Sequence, residues 1–418
     1  MTTTKNLVKQ VLMSTLTAVA LTTVFASCDN EDDVLSDIKN NTRTETRGAS
    51  DWLSFIERRW NGSEVESVIR LKGDYTEISG YNCHEIIRME ADKYYVIKGN
   101  CTRLAFYAPT KGEGHLILGD GSALNARINI DEGQTLNIYS QENGTGKLEA
   151  KSNSYMSENP GSSEGSVMAA IGSRMAMGTL VIHGGNIKAD SSNDSYSSGI
   201  GGGRCGDGGN VTIYGGTVKA YGGKDAAGIG SGEQKTTHKV GGRLTVYGGT
   251  VEARGGAHGA GIGGGQDASG AIVAIHGGTV RAYGGMDAAG IGSGERCTAS
   301  SSVTHGGELT VTGGDVFADG TGWGAGIGGG EDAKGAKVVI TGGKVVAWAG
   351  EDAGKKNGSA IGSEDGDGRR GSLKLGDNMR VHAGQHPDDA KNNLFPFATR
   401  VPACFFRPYA CIEVGASK

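Results

Sequence analysis

The sequence predicts an all-β chain wound as a right-handed parallel β-helix, a solenoid with an N-terminal cap and a C-terminal hairpin cap. Three observations carry that expectation. First, one phrase recurs with a period of about 30 residues. A copy reads Leu244-Thr-Val-Tyr-Gly-Gly-Thr-Val-Glu-Ala253 and is followed by Ala260-Gly-Ile-Gly-Gly-Gly265. Relatives of its first half begin at Leu180, Val211, Val273, Leu309 and Val338, and the second half returns around Ile171, Ile200, Ile229, Ile291, Ile327 and Ile361. Second, aliphatic residues alternate, as in Leu244, Val246, Val251 and Ala253, which is strand periodicity. Third, 75 of the 418 residues are glycine, a composition that makes poor helices.

The spacing locates the corners. Gly215 to Ile229, Gly248 to Ile262, Gly277 to Ile291 and Gly313 to Ile327 all span the same length, whereas the return from each Ile to the next Gly-Gly pair varies. One part of every coil is therefore fixed, and a single corner absorbs insertions. Gly215 to Glu233 closely matches Gly277 to Glu295, so the repeating unit reads as two coils of about 60 residues. Inward ladders are expected at Ile171, Ile200, Ile229, Ile262, Ile291, Ile327 and Ile361, and at Val246, Ile275, Val311 and Ile340. A third is expected at Ala189, Ala220, Ala253, Ala282, Ala318 and Ala347. These motifs resemble the Gly-rich parallel β-helix repeats of bacterial cell-surface proteins over roughly residues 112–384. They resemble β-helix carbohydrate-binding proteins and polysaccharide lyases more distantly, in shape alone.

In chain order, residues 1–27 read as an export signal: Lys5 and Lys9, an apolar centre from Val11 to Phe25, then Ala26-Ser27 before Cys28. The segment resembles a lipoprotein signal, with Phe25 in place of the usual Leu, which implies cleavage before Cys28 and acylation of its thiol. An ordinary secretory signal with an incidental Cys is the alternative. Asp29 to Asp33 resembles the acidic surface-export signal of some Gram-negative lipoproteins, and implies an outer-membrane protein, lipid-anchored and facing the cell exterior. Residues 28–50 read as a flexible acidic and polar tether. Residues 51–111 read as an N-terminal cap with irregular strands, in which Trp52, Ile56 and Trp60 suggest a short amphipathic helix. The coils are expected over 112–385 and the capping hairpin over 386–418.

Composition narrows the partners. The net charge of −5 and the absence of a Lys/Arg stripe argue against nucleic acid. Membrane contact is expected through the lipid anchor alone, and the chain is expected to be a monomer. Of seven cysteines, Cys83 and Cys101 fall in one cap region and Cys404 and Cys411 flank the expected hairpin, so both pairs are disulfide candidates. Cys205 and Cys297 sit three coils apart, ~14 Å, beyond the ~7 Å a bridge allows.

Function is sought on the outward positions. One ladder reads His183, Tyr214, Tyr247, His276, Thr312, Thr341, and the other reads Asp190, Tyr221, Arg254, Tyr283, Asp319, Trp348. Rings presented flat along a regular surface suit sugars, so Tyr214, Tyr247, His276, Tyr221, Tyr283 and Trp348 are the expected contacts for an extended polysaccharide or cell-surface glycan. The variable loops Gln234 to Gly242 and Arg296 to Gly307 are expected to join them. The same rings would equally well stabilise one another across strands. Asp225, His258, Asp287, Trp323 and Asn357 precede the Ile ladder, and Arg204, Glu233, Gln266, Glu295, Glu331 and Asp365 follow it. Spread along the axis, they read as repeated turn residues.

No catalytic residue, metal ligand or cofactor is assigned. The calcium-binding nonapeptide is missing, the histidines lack zinc spacing with the cysteines, and Gly201 to Gly206 fits a dinucleotide fingerprint without the helix it needs. The expected function is thus a surface-anchored, non-catalytic binding or adhesive lipoprotein. A β-helix polysaccharide lyase or glycosidase and a purely structural spacer are the rivals.

Overall fold

Each regular coil carries three short strands, such as Asn210–Ile213, Thr217–Tyr221 and Ile229–Gly230. In this computed structural model, residues 43–46, 52–80, 82–152, 168–234, 240–297, 306–349, 358–363, 371–384, 388, 394–395 and 408–415 are described. Equivalent strands of successive coils pair parallel and in register, so the chain is a parallel β-helix with three faces. Alternation explains the strand identity: Val211, Ile213, Val218 and Ala220 point inward and are buried, while Thr212, Tyr214, Lys219 and Tyr221 point outward.

The first face runs from Tyr75–Ser79 through Tyr94–Lys98, Glu113–Leu118 and Thr135–Ser140 into the regular coils, ending at Ser372–Leu375. The stack therefore begins well before residue 112. The second face carries the Ala ladder, with Ala189, Ala220, Ala253, Ala282, Ala318 and Ala347 in direct register. The third face carries the Ile ladder from Ile171 to Ile361, extended N-terminally by Ile128. All of these ladder residues are buried, and they form one continuous core along the axis.

The third face is built by glycine. Gly263 has φ +136, and a Cβ added there would lie 1.9 Å from the carbonyl oxygen of Gly292. The same geometry returns at Gly172, Gly201, Gly230, Gly292 and Gly328, so each of these coils touches the next backbone to backbone along this face.

Two segments differ from expectation. Trp52–Trp60 is a strand, not a helix: it pairs antiparallel with Glu64–Lys72 along its full length. Cross-strand pairing overrides the helical spacing of Trp52, Ile56 and Trp60, and it buries Leu53, Phe55 and Ile56. This hairpin lies against the outward side of the first face. Phe55 packs on Tyr94 and Tyr139, the Arg58 guanidinium donates to the His183 carbonyl, and Trp60 stacks on Tyr247 at 5.1 Å. Leu53, Phe55, Tyr75, Val96, Ile117 and Tyr139 make a second, smaller core outside the coil.

At the C-terminus, Tyr409–Val414 inserts between Lys344–Ala349 and Met379–Gly384, antiparallel to both, and Leu394–Phe395 pairs on the far side of Met379–Gly384. Residues 396–407 of the expected hairpin lie outside the described residues. At the other end, Arg43–Thr46 pairs antiparallel with Tyr75–Ser79.

Beneath the hairpin, Tyr139, His183, Tyr214, Tyr247 and His276 stack in one column with centroids 4.5, 5.4, 5.0 and 4.9 Å apart. His183 Nδ1 lies 2.9 Å from the Arg58 carbonyl oxygen and 3.2 Å from its amide nitrogen, so either tautomer has a backbone partner.

Burial of His183 lowers its pKa from the ordinary 6.5 to about 4. Between those values the unfolded chain binds a proton that the folded chain does not. Stability present above pH 6.5 is therefore lost as pH falls toward 4, by up to about 3 kcal/mol. Urea unfolding across that range should give a flatter pH profile for His183→Asn than for the wild type, and parallel profiles would show that the imidazole titrates freely in the fold. For the glycine seam, Gly263→Ala should cost about 3 kcal/mol or more from backbone strain and overpacking. Gly133→Ala has φ +82 but nothing within 4 Å of its Cβ, and should cost about 1 kcal/mol. Equal losses in thermal melts would refute a steric seam.

Candidate functional site

The second face carries the other outward column, half-buried like the first. Asp190, Tyr221, Arg254, Tyr283, Asp319 and Trp348 stand in one register column, each on the outward side of a strand whose Val or Ile and Ala residues face the core. Beside it runs Lys188, Lys219, Glu252, Arg281, Phe317 and Val346. Tyr221 and Tyr283 are half-buried, separated by Arg254, whose guanidinium sits 4.0 Å from the Tyr283 ring centroid. Glu252 holds that guanidinium at 2.8 Å, and Lys188 lies 5.8 Å from the Tyr221 ring. Tyr283 tilts against Phe317, and Trp348 meets Tyr409 edge-on. Burial between Tyr283 and Trp348 pushes Asp319 up to about 6, against a smaller opposing effect of Arg254.

The first-face residues do not present flat rings. Tyr214 and Tyr247 are 9° from parallel, Tyr247 and His276 13°, so their faces are turned along the axis and spent on one another. Trp60 stacks on Tyr247 and His276, and His276 Nδ1 meets Thr312 Oγ1 at 2.9 Å. This corrects the expectation of exposed faces at Tyr214, Tyr247 and His276. Strand stacking at ~4.8 Å is close to ring-stacking distance, so a column of like rings closes on itself.

A third constellation, which the sequence reading spread along the axis, comes together at the edge of the third face. Adjacent coils are laced there: Gln266 N donates to Asp225 O, Glu295 N to His258 O, and Glu331 N to Asp287 O. The residue four after one Ile is thereby placed against the residue four before the Ile of the preceding coil. His258 Nδ1 lies 2.5 Å from Glu295 Oε2, and His258 Nε2 lies 3.9 Å from Asp225 Oδ1. Gln266 Nε2 donates to Glu295 Oε2 at 3.0 Å, and Arg296 Nε holds Glu295 Oε1 at 3.1 Å. One ligand atom each of His258, Asp287 and Glu295 falls within 4.8 Å of the other two. Two coils before Glu295, the equivalent Glu233 is paired with Arg204 at 3.0 Å, and Arg204 lies over the Tyr196 ring. Trp323 is half-buried, while Asn357 and Asp365 lie outside the described residues. The signal was legible as a His between two Asp in one ladder, since neighbours in a ladder sit one strand spacing apart.

Of the cysteine candidates, Cys101 is buried with Sγ 3.6 Å from the Ile78 carbonyl oxygen, and the side chain of Cys83 lies outside the described residues. Cys411 is a free buried thiol whose pKa is raised by that burial, and Cys404 lies outside the described residues. Cys205 is a free thiol, and Cys297 Sγ lies 3.6 Å from Ser269 Oγ. Cys28 and most of both variable loops, residues 235–239 and 298–305, also lie outside the described residues. Among the described residues, no helix is long and apolar enough to cross a membrane.

Comparison with known proteins follows the coil geometry. Residues 180–204, 211–233, 244–266, 273–295 and 309–331 each match the family model described as a beta helix repeat. Each matched segment begins on the first face and ends on the laced edge, at Arg204, Glu233, Gln266, Glu295 or Glu331. Neither a curated protein nor a solved structure gave a match. The chain is therefore a parallel β-helix assembled from at least these five beta helix repeats.

Proposed function

We propose that the protein is a non-catalytic binding module for extended glycans, displayed at the cell exterior on a lipid attached to Cys28, and that the second face is its contact surface. The observation that carries this reading is the run Tyr221, Arg254, Tyr283 on three consecutive rungs. Two half-exposed rings stand about 10 Å apart, two strand spacings, with a guanidinium between them. That spacing suits alternate units of an extended sugar chain. Tyr221 and the edge of Tyr283 left beside the Arg254 guanidinium supply apolar surface with polar tips, and the Arg254 nitrogens beyond the Nε held by Glu252 supply hydrogen-bond donors. The first-face tyrosines contribute less, because stacking and Trp60 occupy their faces.

A second reading, a polysaccharide lyase or glycosidase on the same scaffold, is favoured by the convergence of Asp287 and Glu295 on His258, since such chemistry needs carboxylates gathered at one place.

A glycan array probed with the full chain is expected to identify an extended polysaccharide. The double variant Tyr221→Ala/Tyr283→Ala should bind it at least tenfold more weakly, taking stacking as ~1–1.5 kcal/mol per ring. Tyr247→Ala should change binding little. Absence of binding to any glycan would refute the reading, and release of shorter products would replace it with the enzymatic one. For the anchor, Cys28→Ala should move the protein from the membrane fraction to the soluble fraction and abolish incorporation of labelled palmitate. Unchanged fractionation would refute acylation at Cys28.

A further inference from the structure

We propose that His258, Asp287 and Glu295 bind a divalent first-row transition-metal ion, with Asp225 orienting the imidazole. The proposal goes beyond glycan recognition and is independent of it. Three groups from two successive coils are drawn to one point by the backbone lacing of the third-face edge, and their ligand atoms lie within 4.8 Å of one another. Two ligands on opposite sides of an ion bound at ~2.1 Å would span nearly that distance.

A second observation points to a missing cation. His258 Nδ1 is 2.5 Å from Glu295 Oε2, yet the contact lacks the angular geometry of a hydrogen bond. Asp225 is 8% exposed, and its Oδ1, facing His258 Nε2 at 3.9 Å, has no hydrogen-bond partner. Buried polar atoms left in this state are costly. A cation bound by Nδ1, Asp287 and Glu295 resolves both faults. It takes the Nδ1 lone pair, and it leaves Nε2–H free to donate to Asp225, the carboxylate–histidine–metal arrangement that fixes tautomer and ring orientation.

The donor set selects the ion. One imidazole nitrogen with carboxylate oxygens suits Zn²⁺ or Mn²⁺, whereas Ca²⁺ takes oxygen ligands and Cu(I) favours sulfur. Charge points the same way: three carboxylates gather around His258, and Arg296 meets one of them, Glu295. Two coils earlier the equivalent Glu233 is neutralised by Arg204. The rung with Arg204 is self-sufficient, and the rung with His258 is completed by a metal.

The test uses the full chain after chelator treatment, with Mn²⁺ followed by electron paramagnetic resonance and Zn²⁺ by calorimetry. One Mn²⁺ per chain is expected, with the spin-echo modulation of a single imidazole nitrogen. His258→Ala and Glu295→Gln should abolish that signal, and Asp225→Asn should weaken binding by about 10–100-fold. Glu233→Gln should leave it unchanged. Circular dichroism in chelator identifies any variant that has not folded, and the nitrogen modulation of the wild type then decides alone. Lack of stoichiometric binding, binding without the nitrogen signature, equal sensitivity to Glu233→Gln, or equal affinity for Ca²⁺ would each overturn the assignment.

Discussion

The structure depends on backbone-to-backbone contact between coils at the Ile-Gly strands. The inward side chains there are a single Ile per coil, and the neighbouring face contributes Val and Ala, so no coil encloses enough apolar area to offset the ordering of its residues. Stability comes instead from repetition: each Ile from Ile171 to Ile327 lies between two others, and the Gly carbonyls accept the close approach of the neighbouring coil. Such a stack behaves as a chain of nearest-neighbour interfaces, which makes its ends vulnerable. Antiparallel strands lie at both: Arg43–Thr46 against the first coil, and Tyr409–Val414 within the last two. Reversed strands interrupt the parallel template that an open edge offers to another chain.

The same fixed rung spacing decides what the outer surface can do. Where a column repeats one kind of ring, the spacing suits ring on ring, and the column from Tyr139 to His276 becomes part of the scaffold. The five steps of the Trp52–Trp60 strand from Phe55 to Trp60 cover ~17 Å at ~3.3 Å per residue, which matches three to four rungs at ~4.8 Å. The hairpin therefore runs along the axis and ties several coils together through Phe55, Arg58 and Trp60. On the second face the column alternates, with Arg254 between Tyr221 and Tyr283, and ring-on-ring closure is avoided. Alternation in the ladder, more than aromatic content, decides whether a column of rings closes into a continuous stack.

That distinction explains what was legible in the sequence. The Ile, Ala and Val ladders could be read residue by residue, because inward positions obey a period and the period is fixed by one strand per face per coil. The hairpin was not legible, because Trp52, Ile56 and Trp60 satisfy a helical spacing locally and only the long-range pairing with Glu64–Lys72 makes them a strand. The early coils from Tyr75 were missed for a related reason: Tyr75–Ser79 and Tyr94–Lys98 pair in register without the Gly-Gly corners that mark the later repeats. Legibility thus fell where contacts are non-local or where the repeat lost its glycines.

The ridge at His258 shows the remaining gap between period and site. Read along the axis, Asp225, His258 and Asp287 are one position repeated, as Glu233, Gln266 and Glu295 are another, and repetition argues for a structural turn. The lacing bonds change the meaning of that repetition, because Gln266 N to Asp225 O and Glu295 N to His258 O set the two ladders side by side with a one-coil offset. Each rung then brings a residue of one ladder within reach of the other ladder and of its own neighbours, and the chemistry depends on which groups fall together. Within one ladder Arg204 and Glu233 give a neutral ion pair, whereas across the two ladders His258 with Glu295, Asp287 and Asp225 gives a nitrogen among carboxylates. A solenoid can therefore keep one backbone design in every coil and still place a single chemically distinct centre, by changing one residue in a ladder whose neighbours are already held in position.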